Sequence, residues 1–460
     1  MPVAYVLARL RFRGKGVLRA AVLVPFVLPT VVVGIAFRAL LRGTPFDGSV
    51  VAILAALVFF NVAVVARTVA VSWESLDSRQ EEAARMLGAG PVRTFATITL
   101  RRLAPSIAAS ASVVFLFCST AFGTVLVLGG ARFATIETEI WLLTTQFLDL
   151  RAASVLSIAQ LVVVVALLAV TGAIQRRAHT QGRSFAARPP RRTDVPVVTV
   201  AVAVAVALVV PIAALVERSL RVGGEWSFAN YVALASTGSR NALAVTPWEA
   251  LGNSLGFAAA ATGLAMLVGL TASLLLSRTP RSSVARRGLG LLDGALMLPL
   301  GVSAVTVGFG FLITLNTPPL DLRTSPVLVP IAQALVAVPL VVRTLLPVLR
   351  SVGRRMRDAA AMLGASPARV LLTIDLGVAA RAALAATGLA FTVALGEFGA
   401  TTFLSRPDAA TLPVVIYRLI GLPGGDNAGM ATAASVVLAA VCVAVVALVE
   451  RLRVTTAGAF

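Results

Sequence analysis

Side chains that could carry acid–base or nucleophilic chemistry are few in this sequence, and they form no recognisable catalytic set. The 460 residues include one histidine, His179, and two cysteines, while Lys15 is the single lysine. No cluster of histidine, cysteine or acidic residues has the spacing of a zinc site. No G-x-x-x-x-G-K-[ST] segment is present to hold nucleotide phosphates. We therefore expect a chain that is not an enzyme, does not hydrolyse ATP and carries no metal or cofactor.

The most informative residues lie in a short polar segment that occurs twice. EAARMLGAGPVR covers residues 82–93, and DAAAMLGASPAR covers residues 358–369. Alanine and methionine favour a helix, the glycine that follows allows a turn, and the proline suits the first turn of a second helix. Each copy therefore predicts a helix–turn–helix elbow, whose acid and flanking arginines could meet a partner protein. The simpler interpretation is an elbow that only closes a helical bundle.

Further matches show that the elbow belongs to a longer duplication. A constant offset of 276 residues relates Arg67 to Arg343 and Gly123 to Gly399. The register has no gap between residues 67 and 141. We therefore predict two copies of one helical unit that lie side by side in the same orientation.

The elements that must position these elbows are strongly apolar. Hydrophobic residues make up 58% of the chain, charged residues only 13%, and the mean hydropathy is +0.92. A soluble chain has about 45–50% apolar and about 25% charged residues, so the lipid bilayer is the expected surrounding. Because a membrane helix needs about 20 apolar residues, we predict an all-α, polytopic integral membrane protein. The ten predicted spans are residues 18–41, 50–72, 106–129, 153–173, 195–216, 250–277, 289–314, 326–347, 380–404 and 429–449.

The distribution of positive charge indicates the orientation of the spans. The formal net charge is +20, and arginines cluster in residues 1–17, 73–105, 174–194, 278–288 and 348–379. If every span crosses once, these segments share one side, which the positive-inside rule makes cytoplasmic. Both termini and both elbows are then predicted to be cytoplasmic. Short arginine clusters between apolar runs are typical of membrane-protein loops, so we expect no nucleic-acid partner.

We predict three parts along the chain. Residues 1–173 form a first half with four spans, residues 174–194 a polar cytoplasmic linker, and residues 195–460 a second half with six spans. The linker is expected to be flexible, and an ordinary loop within a single bundle is the alternative. Because the first two spans of the second half have no upstream counterpart, the first half is expected to lack two lead-in helices. Either the start is misplaced or this form of the protein lacks them.

The repeated elbow resembles the EAA loop of binding-protein-dependent ABC importer permeases. That pattern is EAA, three residues, Gly, nine residues, Ile, one residue and Leu-Pro, and both copies reproduce it up to the leucine. They depart at the final proline, which is Arg101 in one copy and Gly377 in the other. Asp358 also replaces the glutamate of the pattern in the second copy. These departures leave the spacing intact.

The resemblance implies a partner for the elbows, because in this family they dock into a groove of a separate ATPase subunit. Two copies of that ATPase are expected, with an extracytoplasmic substrate-binding protein as a further partner. The docking residues that the resemblance implies are Glu82, Ala83, Ala84 and Gly88 in the first copy, and Asp358, Ala359, Ala360 and Gly364 in the second.

Two such loops in one chain resemble the fused permeases for thiamine and ferric iron. Residues 129–160 are most similar to the thiamine type, and residues 394–421 to a wider group that includes sulfate and molybdate permeases. The implied function is translocation of a small solute, with thiamine or ferric iron as the main candidates. A permease for sulfate, molybdate or polyamine, an ion-gradient-driven secondary transporter and a membrane-bound enzyme are the alternatives.

One acidic residue lies within a predicted span. Glu397, in span 380–404, is flanked by Gly396 and Gly399. An ionisable group is costly in lipid, so it is expected to face the bundle interior or a water-filled path. Glu397 is therefore a candidate translocation-path residue, or a structural acid paired with a neighbouring helix. The first copy has Ala121 at this position, so either role belongs to the second half alone.

Overall fold

The computed structural model describes residues 1–130, 132–177, 187–278, 282–315, 322 and 325–455. Within these residues the chain is almost entirely helical, and a short hairpin supplies the two strands. In this hairpin β1, Arg221–Val222, pairs antiparallel with β2, Glu225–Trp226. The predicted all-α class is confirmed. His179 and the central part of the predicted linker lie outside the described residues.

The helices follow one another through short connections. Those of the first part of the chain are α1 Pro2–Arg9, α2 Lys15–Val27, α3 Thr30–Leu41, α4 Val50–Glu74, α5 Ser78–Met86, α6 Pro91–Thr94, α7 Leu100–Ser119, α8 Gly123–Gly129, α9 Ile136–Thr145, α10 Leu150–Arg177 and α11 Val195–Ser219. Those that follow are α12 Ala229–Val232, α13 Pro247–Leu276, α14 Ser283–Gly301, α15 Ala304–Thr314, α16 Leu328–Ser351, α17 Arg354–Met362, α18 Pro367–Val370, α19 Leu376–Gly396, α20 Thr401–Leu404, α21 Leu412–Gly421 and α22 Gly425–Thr455. Two π-helical segments, Phe95–Thr99 and Leu371–Asp375, join α6 to α7 and α18 to α19.

Eight helical stretches of the described chain are long and apolar enough to cross a membrane, and there are ten if each of two bent pairs counts as one span. Large apolar side chains such as Leu54, Val58 and Val162 are more than half exposed on these helices. Such exposure is expected where the surrounding solvent is lipid, which is as apolar as the side chains themselves. The chain is therefore a multi-pass membrane protein.

Two predicted spans are not continuous helices. The span predicted at 18–41 consists of α2 and α3, which meet at 106°, and the span predicted at 289–314 consists of α14 and α15, which meet at 97°. Pro29 has no N–H to continue the first helix, and Pro299 weakens the end of α14 in the same way. The Ser303 hydroxyl then caps the start of α15. Each pair forms a broken span or a re-entrant loop.

Two other predicted spans start and end earlier than the sequence indicated. Those predicted at 106–129 and 380–404 occupy Pro91–Ser119 and Pro367–Gly396, and a short separate helix, α8 or α20, follows each. The proline begins a helix already in the elbow, because its fixed φ suits the first helical turn. The π-helical segment then continues this helix into the span. The second helix of each elbow and the membrane helix are therefore one uninterrupted element.

The described end of the predicted linker, residues 187–194, makes specific contacts. The N–H of Arg188 donates to the carbonyl of Arg9, and the N–H of Arg11 donates to the carbonyl of Arg188, both at 2.9 Å. The Arg188 guanidinium binds Asp194 through hydrogen bonds of 2.7 and 2.9 Å, and the Tyr5 hydroxyl donates to the same carboxylate at 2.9 Å. The two backbone hydrogen bonds and the Tyr5 hydroxyl thus fix this end to the N-terminal segment. The bidentate ion pair joins two residues of the predicted linker itself.

The chain divides into two compact units. The first contains Met1–Phe26, Val33–Glu139 and Arg151–Glu217, and the second contains Val27–Val32, Ile140–Leu150 and Arg218–Phe460. In the first unit α4 packs against α1 and α7, and in the second α13, α16 and α19 pack on one another. Gly269 lets α13 approach α16 closely, since a Cβ there would lie 2.5 Å from Cγ1 of Val341. The sequence halves 1–173 and 195–460 remain a prediction about duplication.

Candidate functional site

The first elbow consists of α5, a glycine turn and α6. Asp77 caps α5 by accepting a hydrogen bond from the N–H of Arg79 at 3.0 Å. The N–H of Ala89 donates to the carbonyl of Ala84 at 3.0 Å and closes the other end of the helix. Gly88 has a φ of +83°, a left-handed conformation that costs an L-residue about 1–2 kcal/mol. Glycine is required here by the turn itself.

The second elbow repeats this geometry in α17 and α18. Gly364 has a φ of +80°, and the N–H of Ala365 donates to the carbonyl of Ala360 at 3.0 Å. The Ser366 hydroxyl accepts a hydrogen bond from the N–H of Arg369 at 3.3 Å and so caps α18. The helix, turn and helix predicted from the repeated motif are present in both copies.

The residues predicted to contact an ATPase lie at the surface of the elbows. In both copies the acid, the first alanine and the glycine are exposed, and the second alanine is half-buried. These residues are Glu82, Ala83, Gly88 and Ala84 in the first elbow, and Asp358, Ala359, Gly364 and Ala360 in the second. The same face of each elbow is therefore presented outwards.

Each elbow also exposes a pair of apolar side chains that is not among the predicted docking residues. Met86 and Leu87 in the first elbow, and Met362 and Leu363 in the second, are each 89% exposed. They precede the membrane-spanning stretches, which begin only at the proline of each elbow. Large apolar side chains grouped on a polar surface mark a protein contact, and methionine adapts well to a partner's shape. The pair was detectable in the sequence, because it interrupts an otherwise polar segment twice at the same offset.

A polar contact ties the first elbow to the helix that follows it. The Thr99 hydroxyl, in the π-helical segment before α7, donates to Oε1 of Glu81 in α5 at 2.8 Å. Arg9, at the end of α1, lies 3.8 Å from the same Oε1 and donates to the carbonyl of Leu76 at 3.2 Å. Arg9, Glu81 and Thr99, which we name the first anchor, thus connect α1, α5 and the base of α7.

An ion cluster occupies the equivalent position in the second elbow. Asp375 is fully buried in the π-helical segment before α19. Its carboxylate accepts a hydrogen bond from Nε of Arg357 at 2.8 Å and another from Nη2 of Arg278 at 2.7 Å. Arg357 belongs to α17 and also donates to the carbonyl of Leu349 near the end of α16 at 3.3 Å. Arg278, Arg357 and Asp375, the second anchor, thus connect the ends of α13 and α16 to α17 and the base of α19.

Glu397 lies at the break between α19 and α20 and is only 7% exposed. Its Oε1 accepts the N–H of Ala400 at 2.7 Å, and its Oε2 accepts the N–H of Thr401 at 3.1 Å. The Thr401 hydroxyl donates in turn to the Glu397 carbonyl at 3.0 Å. Both carboxylate oxygens thus satisfy backbone donors that the start of a helix leaves without intrahelical partners.

Potential metal ligands do not come together in the part of the chain that the structure describes. No group of three or more histidine, cysteine, aspartate or glutamate side chains there could hold a metal ion. Cys118 and Cys442 are both free thiols. The candidate site comprises the two elbows, their anchors and Glu397.

Comparison with known proteins agrees with this arrangement. Residues 1–180 match the family model described as binding-protein-dependent transport system inner membrane component. The chain is 26% identical to the thiamine transport system permease protein ThiP of Brucella abortus, over all of this chain and 85% of that protein. It is 27% identical to ThiP of Salmonella typhimurium over 87% of this chain and 72% of that protein. It is 34% identical to the molybdenum transport system permease protein ModB of Escherichia coli over 30% of this chain and 67% of that protein.

The matches to the two thiamine permeases extend over both elbows, so the similarity is not confined to one half of the chain. The multi-pass helical fold is consistent with relatives that are named as transport-system permeases. The chain belongs to the family of binding-protein-dependent transport system inner-membrane components, and it is an ABC importer permease of the type that fuses two membrane halves in one polypeptide.

Proposed function

We propose that each elbow of this permease docks on one ATPase subunit, and that an extracytoplasmic binding protein delivers the solute. The observation that carries this proposal is the pair of equivalent exposed tips, each with an apolar Met–Leu pair beside the predicted docking residues. Energy comes from the partner, because the sequence offers no loop that would hold nucleotide phosphates. Both elbows and both termini then lie on the cytoplasmic side.

The chemistry of the tips suits a compact protein contact. Leu87 and Leu363 are apolar side chains that a pocket on the partner can enclose. A few such enclosed residues carry most of the binding energy of an interface. Ala83 and Ala359 are small and permit close approach, while the acid beside each of them supplies a charged rim. A groove with an apolar floor and a basic edge is the complementary surface.

The uninterrupted path from elbow to membrane helix supports a mechanism of alternating access. When ATP binding draws the two ATPase subunits together, each elbow moves with its subunit. The π-helical segments Phe95–Thr99 and Leu371–Asp375 continue the elbows into α7 and α19, so this motion is passed into the membrane. The membrane helices then alternate between inward-facing and outward-facing access.

We propose thiamine as the solute. Two relatives named as thiamine permeases match this chain over 100% and 87% of its length, whereas the molybdenum permease matches 30% of it. The test is uptake in a strain that lacks this gene, complemented with the wild-type chain and offered radiolabelled thiamine, molybdate or ferric iron in parallel. Thiamine uptake alone is the expected result, and uptake of molybdate or iron without thiamine would refute this assignment.

Glu397 is proposed to border the translocation path by shaping it. Its carboxylate is engaged by the backbone of the turn that leads into α20, so its contribution is the form of the break between the two helices. A charged group held inside a membrane bundle in this way is expected next to a water-accessible path.

The docking proposal is tested with substitutions at the exposed tips. Leu87→Glu and Leu363→Glu place a charge where the apolar anchor is needed, and neither side chain contributes to the core because each is 89% exposed. We expect the double variant to lose at least about tenfold of the ATPase activity that co-purifies with the tagged chain, as for the loss of one interface hot spot. The matched control is Val284→Glu, at a residue that is 76% exposed at the start of α14. Full retention of the ATPase by the double variant would refute the docking proposal.

A further inference from the structure

We propose that the two anchors lock each elbow to the membrane helix that follows it, and that they do so with opposite charge patterns and unequal strength. This inference rests on the docking function proposed above, because a locked elbow transmits force only if a partner moves it. The anchor residues are positioning residues: they act on the elbow and not on the transported solute.

The two anchors are equivalent in position. The offset of 276 relates Glu81 to Arg357 on the elbow helices, and Thr99 to Asp375 in the π-helical segments. In each half an arginine completes the set, Arg9 at the end of α1 and Arg278 just after α13, and the offset does not relate these two residues. The first elbow contributes an acid to this position and the second contributes a base.

The second anchor is the stronger one. The Asp375 carboxylate has no exposed surface, and each of its oxygens accepts a charge-assisted hydrogen bond from a guanidinium. Such bonds are shorter and stronger than neutral ones. Removing one partner of a buried ion pair strongly destabilises the fold, because the remaining charge is buried with neither a counterion nor water around it. The α17 helix is therefore held firmly to the base of α19.

The first anchor is looser. The bond between Thr99 and Glu81 joins a neutral hydroxyl to a carboxylate, and Arg9 approaches that carboxylate only to 3.8 Å. This is one charge-assisted bond, whereas the carboxylate of Asp375 accepts two. Asp375 is also fully buried, although the Arg278 side chain that binds it is 45% exposed. The α5 helix therefore has more freedom to rotate against α7 than α17 has against α19.

The consequence is a difference in how the two halves follow the ATPase. The second elbow and α19 move as one rigid body, so displacement at the elbow reaches the membrane in full. In the first elbow, α5 rotates against the base of α7 before α7 itself moves. We expect the fused chain to be driven mainly through its second half, although both tips bind a partner.

The inference can be tested within the chain, because the residue types Glu and Thr of the first anchor can be introduced at the equivalent positions of the second. Arg357→Glu and Asp375→Thr together recreate the Glu–Thr pair with Arg278 beside it. Each single substitution instead leaves like charges facing each other or a guanidinium without its acid. Thr99→Val, which removes only the hydroxyl donor of the first anchor, is the milder comparison.

Rigidity is measured with a pair of spin labels in nanodiscs that contain the ATPase. The labels are introduced as Ala361→Cys on α17 and Thr387→Cys on α19, in a background with Cys118→Ala and Cys442→Ala. We expect a narrow distance distribution in the wild-type anchor and a distribution at least about twofold broader in Asp375→Thr and in Arg357→Glu. The double variant should recover most of the narrow distribution, since the coupling energy of the new pair offsets the two single losses.

The outcomes separate this inference from the docking proposal. One outcome is that every variant retains the ATPase and the distance distribution between the spin labels has the same width in all of them. The anchors then do not lock the elbow, so the inference fails while the docking proposal stands. If the single variants lose protein yield but keep the wild-type width in the protein that remains, the anchor only stabilises the fold, and the inference again fails. If no ATPase binds the chain with wild-type anchors, both proposals fail. Retained ATPase, broadened single variants and a restored double variant support the lock.

Discussion

Gly308 in α15 lies directly against Ala400 at the start of α20. A Cβ at residue 308 would approach Cα of Ala400 to 2.7 Å and its carbonyl oxygen to 2.9 Å. Both atoms belong to the backbone, so a rotamer change cannot relieve the clash. The bent pair of α14 and α15 is thus held to the break beside Glu397 by a contact that only glycine permits.

We predict that Gly308→Ala destabilises the second unit and that Gly310→Ala does not. Overpacking of this kind costs about 1–3 kcal/mol, because one of the two backbones must shift. Gly310 lies on the same helix and has no atom within 4 Å of an added Cβ, which makes it a matched control. Thermal melting of the purified protein in detergent measures both effects, and equal melting temperatures for the two variants would contradict the close approach.

Glu397→Gln is predicted to weaken the break between α19 and α20. The amide offers one acceptor oxygen where the carboxylate offers two, so a buried N–H of Ala400 or Thr401 meets an NH₂ group instead. An unsatisfied buried donor costs about 1–3 kcal/mol. Melting temperature should fall and transport should fall with it, while the KM for the proposed solute, thiamine, stays near its wild-type value. An unchanged melting temperature with a raised KM would indicate direct contact with the solute instead.

Gly364→Ala is predicted to impair the second elbow, and Gly377→Ala is its control. Neither position has an atom within 4 Å of an added Cβ, so packing does not distinguish them. Only Gly364 has a positive φ, at +80°, and the left-handed conformation costs alanine about 1–2 kcal/mol. We expect Gly364→Ala to lower the amount of co-purified ATPase and Gly377→Ala, within α19, to leave it unchanged. Equal retention would mean that the turn has no part in docking.

The orientation predicts a labelling pattern for single cysteines. Met86→Cys and Met362→Cys, both at 89% exposed positions, should react with a membrane-impermeant thiol reagent only from the cytoplasmic side. Trp226→Cys, in the hairpin and 66% exposed in the wild type, should react only from the opposite side. Labelling of intact cells and of inverted vesicles distinguishes the two. Reaction of Met86→Cys and Met362→Cys from different sides would overturn the parallel duplication.

The features that the sequence predicts are those fixed by local patterns. The offset of 276 between Arg67 and Arg343, the apolar runs and the turn glycines Gly88 and Gly364 all act over short stretches of chain. Helix, turn and span follow from them because propensity, positive φ and hydrophobic length are local properties. The duplication adds weight, since the same local pattern occurs twice.

The second anchor depends on a partner that is distant in sequence, and hydropathy alone does not show where two of the spans end. Arg278 meets Asp375 across 97 residues, and one sequence does not show which arginine will reach which acid. The spans predicted at 106–129 and 380–404 extend past the ends of α7 at Ser119 and α19 at Gly396. The apolar run of the sequence continues beyond each helix end. At the end of α19 the Glu397 carboxylate accepts the N–H groups of Ala400 and Thr401, a local contact that a hydropathy pattern does not show.

The inverted charge of the two anchors has a consequence for the engineering of this chain. If the elbow of the first copy were grafted onto the second, its glutamate would face Asp375, and two buried acids would compete for Arg278. The reverse graft would set Arg357 opposite a threonine, with no carboxylate to neutralise it. Each elbow thus forms a matched set with its own membrane helix, and the two elbows are not interchangeable modules even though their outer faces are alike.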